Sequence, residues 1–225
     1  HIKQLESKYN TPLFDRVGNK IFLNSAGKLL YSNLCSIRQK YRDIDLEISN
    51  LLSTNKGEIK IGASTTICQY VIPGELANFH KRYPSVQIQL INGNSFEIEK
   101  LLIDKKIDIA LLENDSVHSG IKYTKYIKDN IVLVVSSKSI YSKSKELSIK
   151  EIQQIPLILR EQGSGTLEVI ERGLKSVNLS INQMNIFMHL GATEAIKNFL
   201  PNFQGAALIS EWAIKQEIAD MRFSI

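Results

Sequence analysis

The chain has 225 residues, 43% of them hydrophobic, so it can bury a sizeable core in one two-lobed domain or in two to three small ones. It lacks an apolar run of 18 residues and the charged, apolar and small-residue order of a signal peptide, which predicts a cytoplasmic protein with no membrane span. Cys35 and Cys68 lie in unlike contexts, which argues against a disulfide framework and against a thiolate metal site.

The excess of basic residues is concentrated in the first quarter of the chain. Lys and Arg outnumber Asp and Glu by 28 to 23, and residues 1–60 hold ten basic and six acidic side chains. The remaining residues hold 18 and 17, so they are close to neutral. A local surplus of this kind suits a surface that faces phosphates, but it equally suits a solvated charged face.

The first 24 residues predict the end of a helix followed by a small β-hairpin. The segment His1–Glu6 has helical spacing with no cap in front of it, so we expect the helix to begin upstream of this sequence. The basic turn at 16–20 and the alternating stretch at 21–23 predict a hairpin with the dimensions of a wing. Asn24 or Ser25 can cap the helix that follows.

A long helix is predicted from the apolar spacing after residue 25. Apolar residues recur every three or four positions, as in a heptad seam, at Ala26, Leu30, Leu34, Ile37, Tyr41, Ile44, Ile48 and Leu51. A helix of about 27 residues would be about 40 Å long, and its other faces are charged. We interpret it as a homodimeric linker, the alternative being a helix packed on its own domain. The expected dimerisation residues are Leu34, Ile37, Tyr41, Ile44, Ile48 and Leu51.

Strands and helices alternate after a predicted break at 53–57. The expected strands are 58–61, 86–91, 107–112, 131–135, 156–159, 185–189 and 206–209, and the expected helices are 71–83, 97–104, 166–177 and 194–199. This alternation indicates an α/β fold with parallel sheets built from βαβ units. Because the pattern repeats from residue 131 onward, two similar lobes with a cleft between them are expected.

Four strand-to-helix junctions in these lobes are rich in small hydroxyl residues. Ligands of α/β sheets bind beyond the carboxyl ends of the strands, where helix N-termini present free N–H groups. Hydroxyl groups and backbone N–H groups without dedicated cations suit a small oxyanion or carboxylate, although each residue could also be only a helix cap. The candidate effector-binding residues are Ser64, Thr65, Thr66, Asn94, Ser95, Ser164, Gly165, Thr166 and Thr193.

No other chemistry has a complete motif in the sequence. Residues 163–166 lack the Lys of a P-loop and do not complete a dinucleotide fingerprint, and the four histidines show no metal-ligand spacing. Neither Ser64 nor Ser164 is framed as a nucleophile elbow. We therefore expect no catalytic residue, no metal and no cofactor, and a protein that is not an enzyme. Cys68 is either a responsive thiol near a helix N-terminus or a buried small apolar residue.

Three segments near the N-terminus resemble the signature of the LysR-type bacterial transcription regulators. His1–Glu6, Leu13–Arg16 and Leu23–Gly27 are similar to the family patterns I-x-x-L-E, L-F-x-R and L-T-x-A-G. The resemblance implies that residues 1–24 are the C-terminal part of a winged helix-turn-helix and that 25–56 form a dimerising linker helix and hinge. It implies that 57–225 form a periplasmic-binding-protein-like effector domain, with lobe I at about 57–130, lobe II at about 131–225, and an incomplete C-terminal end.

The family resemblance also implies a function. The protein is expected to be a cytoplasmic transcription regulator in which Lys3, Arg16 and Lys20 contact double-stranded operator DNA. A homodimer or homotetramer is expected, with RNA polymerase as a further partner. The expected effector is an inorganic anion or carboxylate in the cleft, because residues 61–67, 160–166 and 190–196 resemble the regulators of sulfur or carbon assimilation.

Two details of the sequence bear on this interpretation. Cys68 stands where the family pattern has Gly, which bears on the shape of the first ligand-binding loop. The alternative function is a solute-binding protein for a small anion. The N-terminal segment of 55 residues is basic and contains the heptad pattern, and the sequence lacks a signal peptide. Both features argue against that alternative.

Overall fold

The computed structural model describes residues 1–51, 57–113, 118–144 and 146–225, which form two compact units. The first unit comprises His1–Glu58 with Ser85–Gln87, and the second comprises Ile59–Pro84 with Ile88–Ile225. Most of the predicted break at 53–57 lies outside the described residues. Among the described helices none has the length and apolar character required to cross a membrane.

The secondary structure follows the alternation expected from the sequence. The α-helices are α1 Ile2–Tyr9, α2 Ser25–Leu51, α3 Ile72–Arg82, α4 Ser95–Ile103, α5 Ile149–Gln154, α6 Gly165–Ser176, α7 Thr193–Phe199 and α8 Lys215–Ala219. The strands are β1 Phe14–Val17, β2 Lys20–Leu23, β3 Gly57–Ser64, β4 Val86–Gly93, β5 Ile109–Leu111, β6 Ile131–Ser136, β7 Leu157–Arg160, β8 Ile186–Leu190, β9 Ala206–Ser210 and β10 Phe223–Ser224.

The first unit contains the predicted hairpin and the predicted long helix. Strands β1 and β2 pair antiparallel around a two-residue turn, with Val17 opposite Lys20 and with Gly18 at a φ of +61°. Glycine tolerates this backbone conformation without a steric cost, so it suits the tight turn. The side chain of Asn24 accepts a 2.9 Å hydrogen bond from the N–H of Gly27, which confirms the predicted cap of α2.

The three signature segments of the first unit meet at Leu13. The carboxylate of Glu6 in α1 accepts a 2.8 Å hydrogen bond from the N–H of Leu13, whose carbonyl accepts one of 3.1 Å from the N–H of Asn24. A Cβ atom on Gly27 would lie 2.1 Å from the same carbonyl oxygen. The start of α2 can therefore approach the hairpin only because residue 27 has no side chain.

Lobe I of the second unit is a three-stranded sheet in the order β4-β3-β5, with β3 parallel to β5. Helix α4 packs on this sheet through the fully buried Ile98. A Cβ on Gly62 of β3 would lie 2.5 Å from Ile107 and 2.9 Å from Ile98, so the close packing of helix and strand requires glycine there. The helix predicted at 71–83 starts earlier than expected, as a π-helix at Ile67–Val71 that runs into α3.

Lobe II is a five-stranded sheet in the order β10-β6-β9-β7-β8. Strand β7 is parallel to β8 and β9, as expected. Strand β6, however, pairs antiparallel with both of its neighbours, β9 and β10, so the prediction of wholly parallel sheets is wrong here. The reason lies in how the chain reaches β6. It arrives from lobe I through residues 118–130, which contain no helix, whereas a parallel neighbour would require a crossover helix on the same sheet. Buried apolar residues on both faces of this sheet form its core.

Candidate functional site

The candidate effector-binding residues lie at the carboxyl ends of strands in the second unit, as the sequence predicts. Ser64 ends β3, with Thr65 and Thr66 directly after it, and Asn94 and Ser95 lie between β4 and α4. Ser164, Gly165 and Thr166 begin α6, and Thr193 begins α7. All nine except Asn94 are buried, so the hydroxyl groups of the serine and threonine residues among them are shielded from bulk water.

A buried arginine links two of these hydroxyl groups. The guanidinium of Arg160, at the end of β7, donates to the hydroxyl of Thr193 at 2.9 Å and to the hydroxyl of Thr65 at 3.4 Å. Thr65 in turn donates to the carbonyl of Gly93 at 3.4 Å. On its other side the guanidinium holds both carboxylate oxygens of Glu161, at 2.8 and 3.0 Å. Arg160 thus joins residues of both lobes.

This arrangement corrects the sequence-based prediction that the hydroxyl groups lack a dedicated cation. Arg160 is only 2% exposed and is the largest fully buried side chain of the described residues. A buried charge needs a partner, and Glu161, whose side chain is 26% exposed, provides one. A guanidinium paired with a carboxylate is therefore built into the hydroxyl cluster, the group of candidate Ser and Thr residues at these strand ends.

A carboxylate engages the other part of the cluster. Glu113, two residues beyond β5, accepts a hydrogen bond of 3.2 Å from the hydroxyl of Ser64 and one of 2.7 Å from the hydroxyl of Thr166. Ser64 belongs to lobe I and Thr166 to the first turn of α6 in lobe II, so Glu113 also bridges the lobes. Sequence analysis did not identify Glu113.

Only one of the candidate residues acts mainly as a side-chain helix cap. Asn94 forms a capping box with Glu97, in which each side chain accepts from the other residue's N–H, at 2.9 and 3.0 Å. Ser164 precedes α6 without a side-chain cap bond, and the buried hydroxyl of Ser95 has no hydrogen-bond partner within the described residues. Capping alone therefore does not account for the hydroxyl groups at these junctions.

The backbone also links the two lobes beside the cluster. The N–H of Phe96 in α4 donates to the carbonyl of Gly163 at 3.3 Å. Gly163 has a φ of +82°, and a Cβ there would lie 3.4 Å from Phe96 and 3.5 Å from Asn94. Glycine fits both the backbone conformation and the narrow space between the lobes.

A second polar network joins the π-helix to lobe II. The hydroxyl of Tyr70 donates to Glu194, whose carboxylate also pairs with Lys197 at 2.7 Å. Lys197 lies 4.9 Å from the centre of the Tyr70 ring and forms a buried ion pair of 2.9 Å with Glu217. Glu217 is held in addition by Arg222, at 2.9 Å. Sequence analysis identified none of these five residues.

The charges of this network shift two pKa values in opposite directions. Burial raises the pKa of Tyr70, and the hydrogen bond to the Glu194 carboxylate raises it further because ionisation would place two negative charges together. Burial also acts to raise the pKa of Glu194, but hydrogen bonds from Lys197 and Tyr70 outweigh it and lower that pKa. Glu194 thus remains a carboxylate acceptor for the Tyr70 hydroxyl group.

A further carboxyl group lies at the start of lobe II. Burial raises the pKa of Asp129, a hydrogen bond from the Ser210 side chain opposes this shift, and the charges of Glu113 and Glu211 add to it. Glu113 therefore has other acidic groups within electrostatic range, whereas in the other part of the hydroxyl cluster the charge of Arg160 is paired with Glu161.

The sequence contains a stronger indication of a functional role for Arg160 than for Glu113. Arg160 follows three apolar residues of β7 and stands directly before the hydroxyl loop at 163–166, where a charge is unusual enough to suggest a role. Glu113 follows a short apolar strand, and its partners at positions 64 and 166 are distant in sequence. Nothing local distinguishes Glu113 from a surface glutamate.

The predicted DNA-binding and dimerisation residues all lie in the first unit. Lys3 on α1, Arg16 on β1 and Lys20 on β2 are exposed. The seam residues of α2 are also exposed, between 48% and 85%, at Leu34, Ile37, Tyr41, Ile44, Ile48 and Leu51. An apolar stripe of this length on a charged helix is available to a partner helix.

Cys68 lies in the π-helix after the hydroxyl loop and packs against the core of lobe I, next to Ile67 and Ile72. Burial raises the pKa of its thiol. A raised pKa lowers the thiolate fraction, so the surroundings of Cys68 favour the packing role over the responsive thiol. The described residues contain no group of three His, Cys, Asp or Glu side chains that could hold a metal ion.

An apolar cavity of about 620 Å³ lies elsewhere in lobe I, between its sheet and α3. Ile61, Leu76, Phe79, Ile88 and Tyr126 are among its lining residues. None of the candidate effector-binding residues borders this cavity, and its lining contains no serine or threonine.

Comparison with known proteins gives consistent relationships across the chain. The family model described as LysR substrate binding domain matches residues 53–225. The uncharacterized HTH-type transcriptional regulator YeiE of Escherichia coli (strain K12) is 29% identical over 217 residues, which cover 96% of this chain and 71% of that protein. The HTH-type transcriptional regulator CysL of Bacillus subtilis (strain 168) is 27% identical over 225 residues, covering 100% and 74%.

Solved structures show the same fold. The regulatory domain of Synechocystis PCC6803 CcmR, in complex with 2-PG, aligns with a TM-score of 0.66 and 21% identity, covering 76% of this chain and 80% of that one. This likeness shows that the chain has the two-lobed α/β architecture.

Proposed function

The chain belongs to the LysR family of transcriptional regulators, and from this premise we propose that it senses a small anion at the hydroxyl cluster around Arg160. The observation that carries the proposal is the burial of Arg160 among hydroxyl groups from both lobes. Backbone N–H groups at the start of α6 add partial positive charge to the same region.

The chemistry of the cluster suits an oxyanion or a small carboxylate. A guanidinium presents several N–H donors in a fixed plane, and serine and threonine hydroxyl groups can each donate one hydrogen bond. The proposed contacts are Ser64, Thr65, Thr66, Asn94, Ser95, Ser164, Gly165, Thr166 and Thr193, together with Arg160. The related CcmR regulatory domain is described in complex with 2-PG, which supports a small ligand in a domain of this fold.

Ligand binding would act on transcription by changing how the lobes are arranged. The hydrogen bonds of Arg160 to Thr65 and of Phe96 to Gly163 cross between the lobes, so a ligand among them affects both. An effector shifts a conformational equilibrium only through its different affinities for the two states, and a tenfold shift requires about 1.4 kcal/mol of difference.

For the first unit we propose operator binding and dimerisation. Lys3, Arg16 and Lys20 are exposed cations on α1 and the hairpin, suited to phosphate or groove contacts on double-stranded DNA. The exposed seam of α2 would pair with the same helix of a second protomer in a homodimer or homotetramer. RNA polymerase is a further proposed partner, and the cytoplasm is the proposed location.

Two other functions are less well supported. YeiE and CysL are named as transcriptional regulators, and the signature segments of the first unit have no purpose in a solute-binding protein. Among the described residues no histidine hydrogen-bonds to the hydroxyl groups of the cluster, and the carboxylate beside Ser64 is shared with Thr166. We therefore infer a regulator and not an enzyme.

The test of the anion site is a thermal-shift titration of the chain with sulfate, sulfite, thiosulfate, phosphate, short carboxylates and 2-phosphoglycolate. We expect saturable stabilisation by one of them, and its loss in Thr193→Ala, which removes the 2.9 Å partner of Arg160. Thr124→Ala, at an exposed position, is the matched control and should respond like the wild type. Equal stabilisation of all three proteins would exclude binding at this cluster.

The dimerisation proposal has its own test, by sedimentation equilibrium. Ile44→Asp places a charge in the seam of α2 and should increase the dimer dissociation constant at least tenfold. Ser32→Asp introduces the same charge on an exposed position outside the seam and should leave the constant nearly unchanged. A monomeric wild type at high concentration would refute the proposal.

A further inference from the structure

We propose that Glu113 is a built-in competitor of the anionic effector, an inference that rests on the anion-sensing function proposed above. The Glu113 carboxylate accepts hydrogen bonds from Ser64 and Thr166, two hydroxyl groups of the cluster. It therefore makes the contacts, with the charge, that an oxyanion would make at the same place.

Competition follows from the number of hydrogens available. Each hydroxyl group has a single hydrogen to donate, and those of Ser64 and Thr166 are directed to Glu113. An oxyanion that uses either hydrogen must take it from the carboxylate. Like charges also repel at close range inside a protein, where screening by water is weak, so the two anions cannot share the hydroxyl pair without cost.

Because Glu113 bridges the two lobes, its competition with the effector would change how the lobes are held together. Ser64 ends β3 of lobe I, whereas Thr166 lies in the first turn of α6 in lobe II. An anion that displaces the carboxylate therefore also breaks the Glu113 bridge to α6. The Arg160–Thr65 contact and the Phe96–Gly163 backbone bond still join the lobes. Effector binding is thus linked to a change in the way α6 is held.

The surroundings of Glu113 favour its release to solvent once the hydroxyl groups of Ser64 and Thr166 donate to the ligand. Glu113 is partly exposed, so the carboxylate can regain water. Its charge also contributes to raising the pKa of Asp129, which places a second acidic group nearby. Repulsion between these two groups opposes the bridged position and so limits how strongly Glu113 competes.

The experiment is isothermal titration of the full chain with inorganic sulfate, inorganic phosphate and 2-phosphoglycolate. Glu113→Gln keeps the size of the side chain and removes its charge, so it should bind the preferred anion at least tenfold more tightly than the wild type. Glu168→Gln removes an equal charge from an exposed position on α6 and should bind within twofold of the wild type. Glu113→Ala, which removes the acceptor altogether, should bind more tightly too.

The outcomes separate this inference from the proposed function. If the wild type binds an anion and Glu113→Gln binds it no more tightly than Glu168→Gln does, the competition is refuted and the anion site stands. Weaker binding by both Glu113 variants would make the carboxylate an acceptor for the ligand and would refute the competition as well. If none of the proteins binds any anion of the thermal-shift series, both proposals fail.

Discussion

The guanidinium of Arg160 donates a 2.9 Å hydrogen bond to the hydroxyl of Thr193, in an interior where Arg160 is 2% exposed. Glu161 holds the opposite side of the guanidinium through both of its carboxylate oxygens. The planar fork of arginine makes these contacts simultaneously, and a lysine ammonium cannot reproduce their geometry. The shape of this cation, and not only its charge, organises the cluster.

Arg160→Lys tests this point directly. The variant keeps the positive charge but loses the fork that reaches Thr65 and Thr193, so anion affinity should fall at least tenfold, about 1.4 kcal/mol. Isothermal titration gives the affinity, and Arg82→Lys at an exposed position on α3 is the control. An unchanged dissociation constant for Arg160→Lys would mean that charge alone matters.

The link between Tyr70 and Glu194 predicts a loss of stability. Tyr70→Phe removes one hydroxyl that donates to a carboxylate, and hydrogen bonds to charged groups contribute about 1.5–3 kcal/mol. Because Tyr70 is only half-buried, we expect the free energy of unfolding to fall by about 1–2 kcal/mol in urea titrations. Tyr126→Phe, at an exposed ring, should change it by less than about 0.5 kcal/mol. Equal effects of the two variants would argue against the link.

The contact of Gly27 with Leu13 predicts a local effect on the first unit. Gly27→Ala places a Cβ 2.1 Å from the Leu13 carbonyl oxygen, so α2 and the hairpin must separate, at a cost of about 1–3 kcal/mol. Faster amide hydrogen exchange in residues 14–23 would report it. Gly173→Ala in α6 meets no atom within 4 Å and should instead stabilise its helix by about 0.5–1 kcal/mol.

The raised pKa of Asp129 predicts how stability depends on pH. Since folding raises this pKa above the ordinary value of 3.8, the native state binds the proton more tightly, and stability is lost as pH rises through the folded pKa. Asp129→Asn removes this loss, so its Tm should exceed that of the wild type at pH 7 and approach it near pH 4. Asp129 is partly exposed, so the gain should be at most about 3 °C.

Differential scanning calorimetry across this pH range checks the Asp129 prediction. Asp220→Asn, at an exposed carboxyl group, is the matched variant and should follow the wild-type pH profile. A difference between Asp129→Asn and the wild type that is the same at every pH would indicate altered packing and not the removal of a titrating group.

The elements of the fold could be predicted because they depend on local patterns. Heptad spacing indicated α2, and the predicted strands lie in or overlap the observed ones. The antiparallel pairing of β6 and β10 in lobe II could not be predicted from alternation. Strand direction there depends on where the chain enters the sheet, which is a property of the whole topology.

Only part of the site could be predicted, because sequence patterns identify local groups and not partners that are distant in sequence. Hydroxyl groups at the strand ends were identified from local junctions, but the groups that engage them lie far away in sequence. Arg160 is 33 residues from Thr193 and 95 from Thr65, and Glu113 is 49 residues from Ser64 and 53 from Thr166. Only the folded sheet brings these residues together, so a single sequence without structure contains no sign of the pairing.

The ion pair between Lys197 and Glu217 constrains how this sequence can diverge. Lys197 is 9% exposed and Glu217 is 5% exposed, so losing either one alone leaves a charge with little access to water and only its more exposed partner, Glu194 or Arg222. Replacing both by apolar residues removes that cost. Among related sequences, the two positions should therefore covary, with acid and base retained together or lost together, while the exposed partner Arg222 varies more freely.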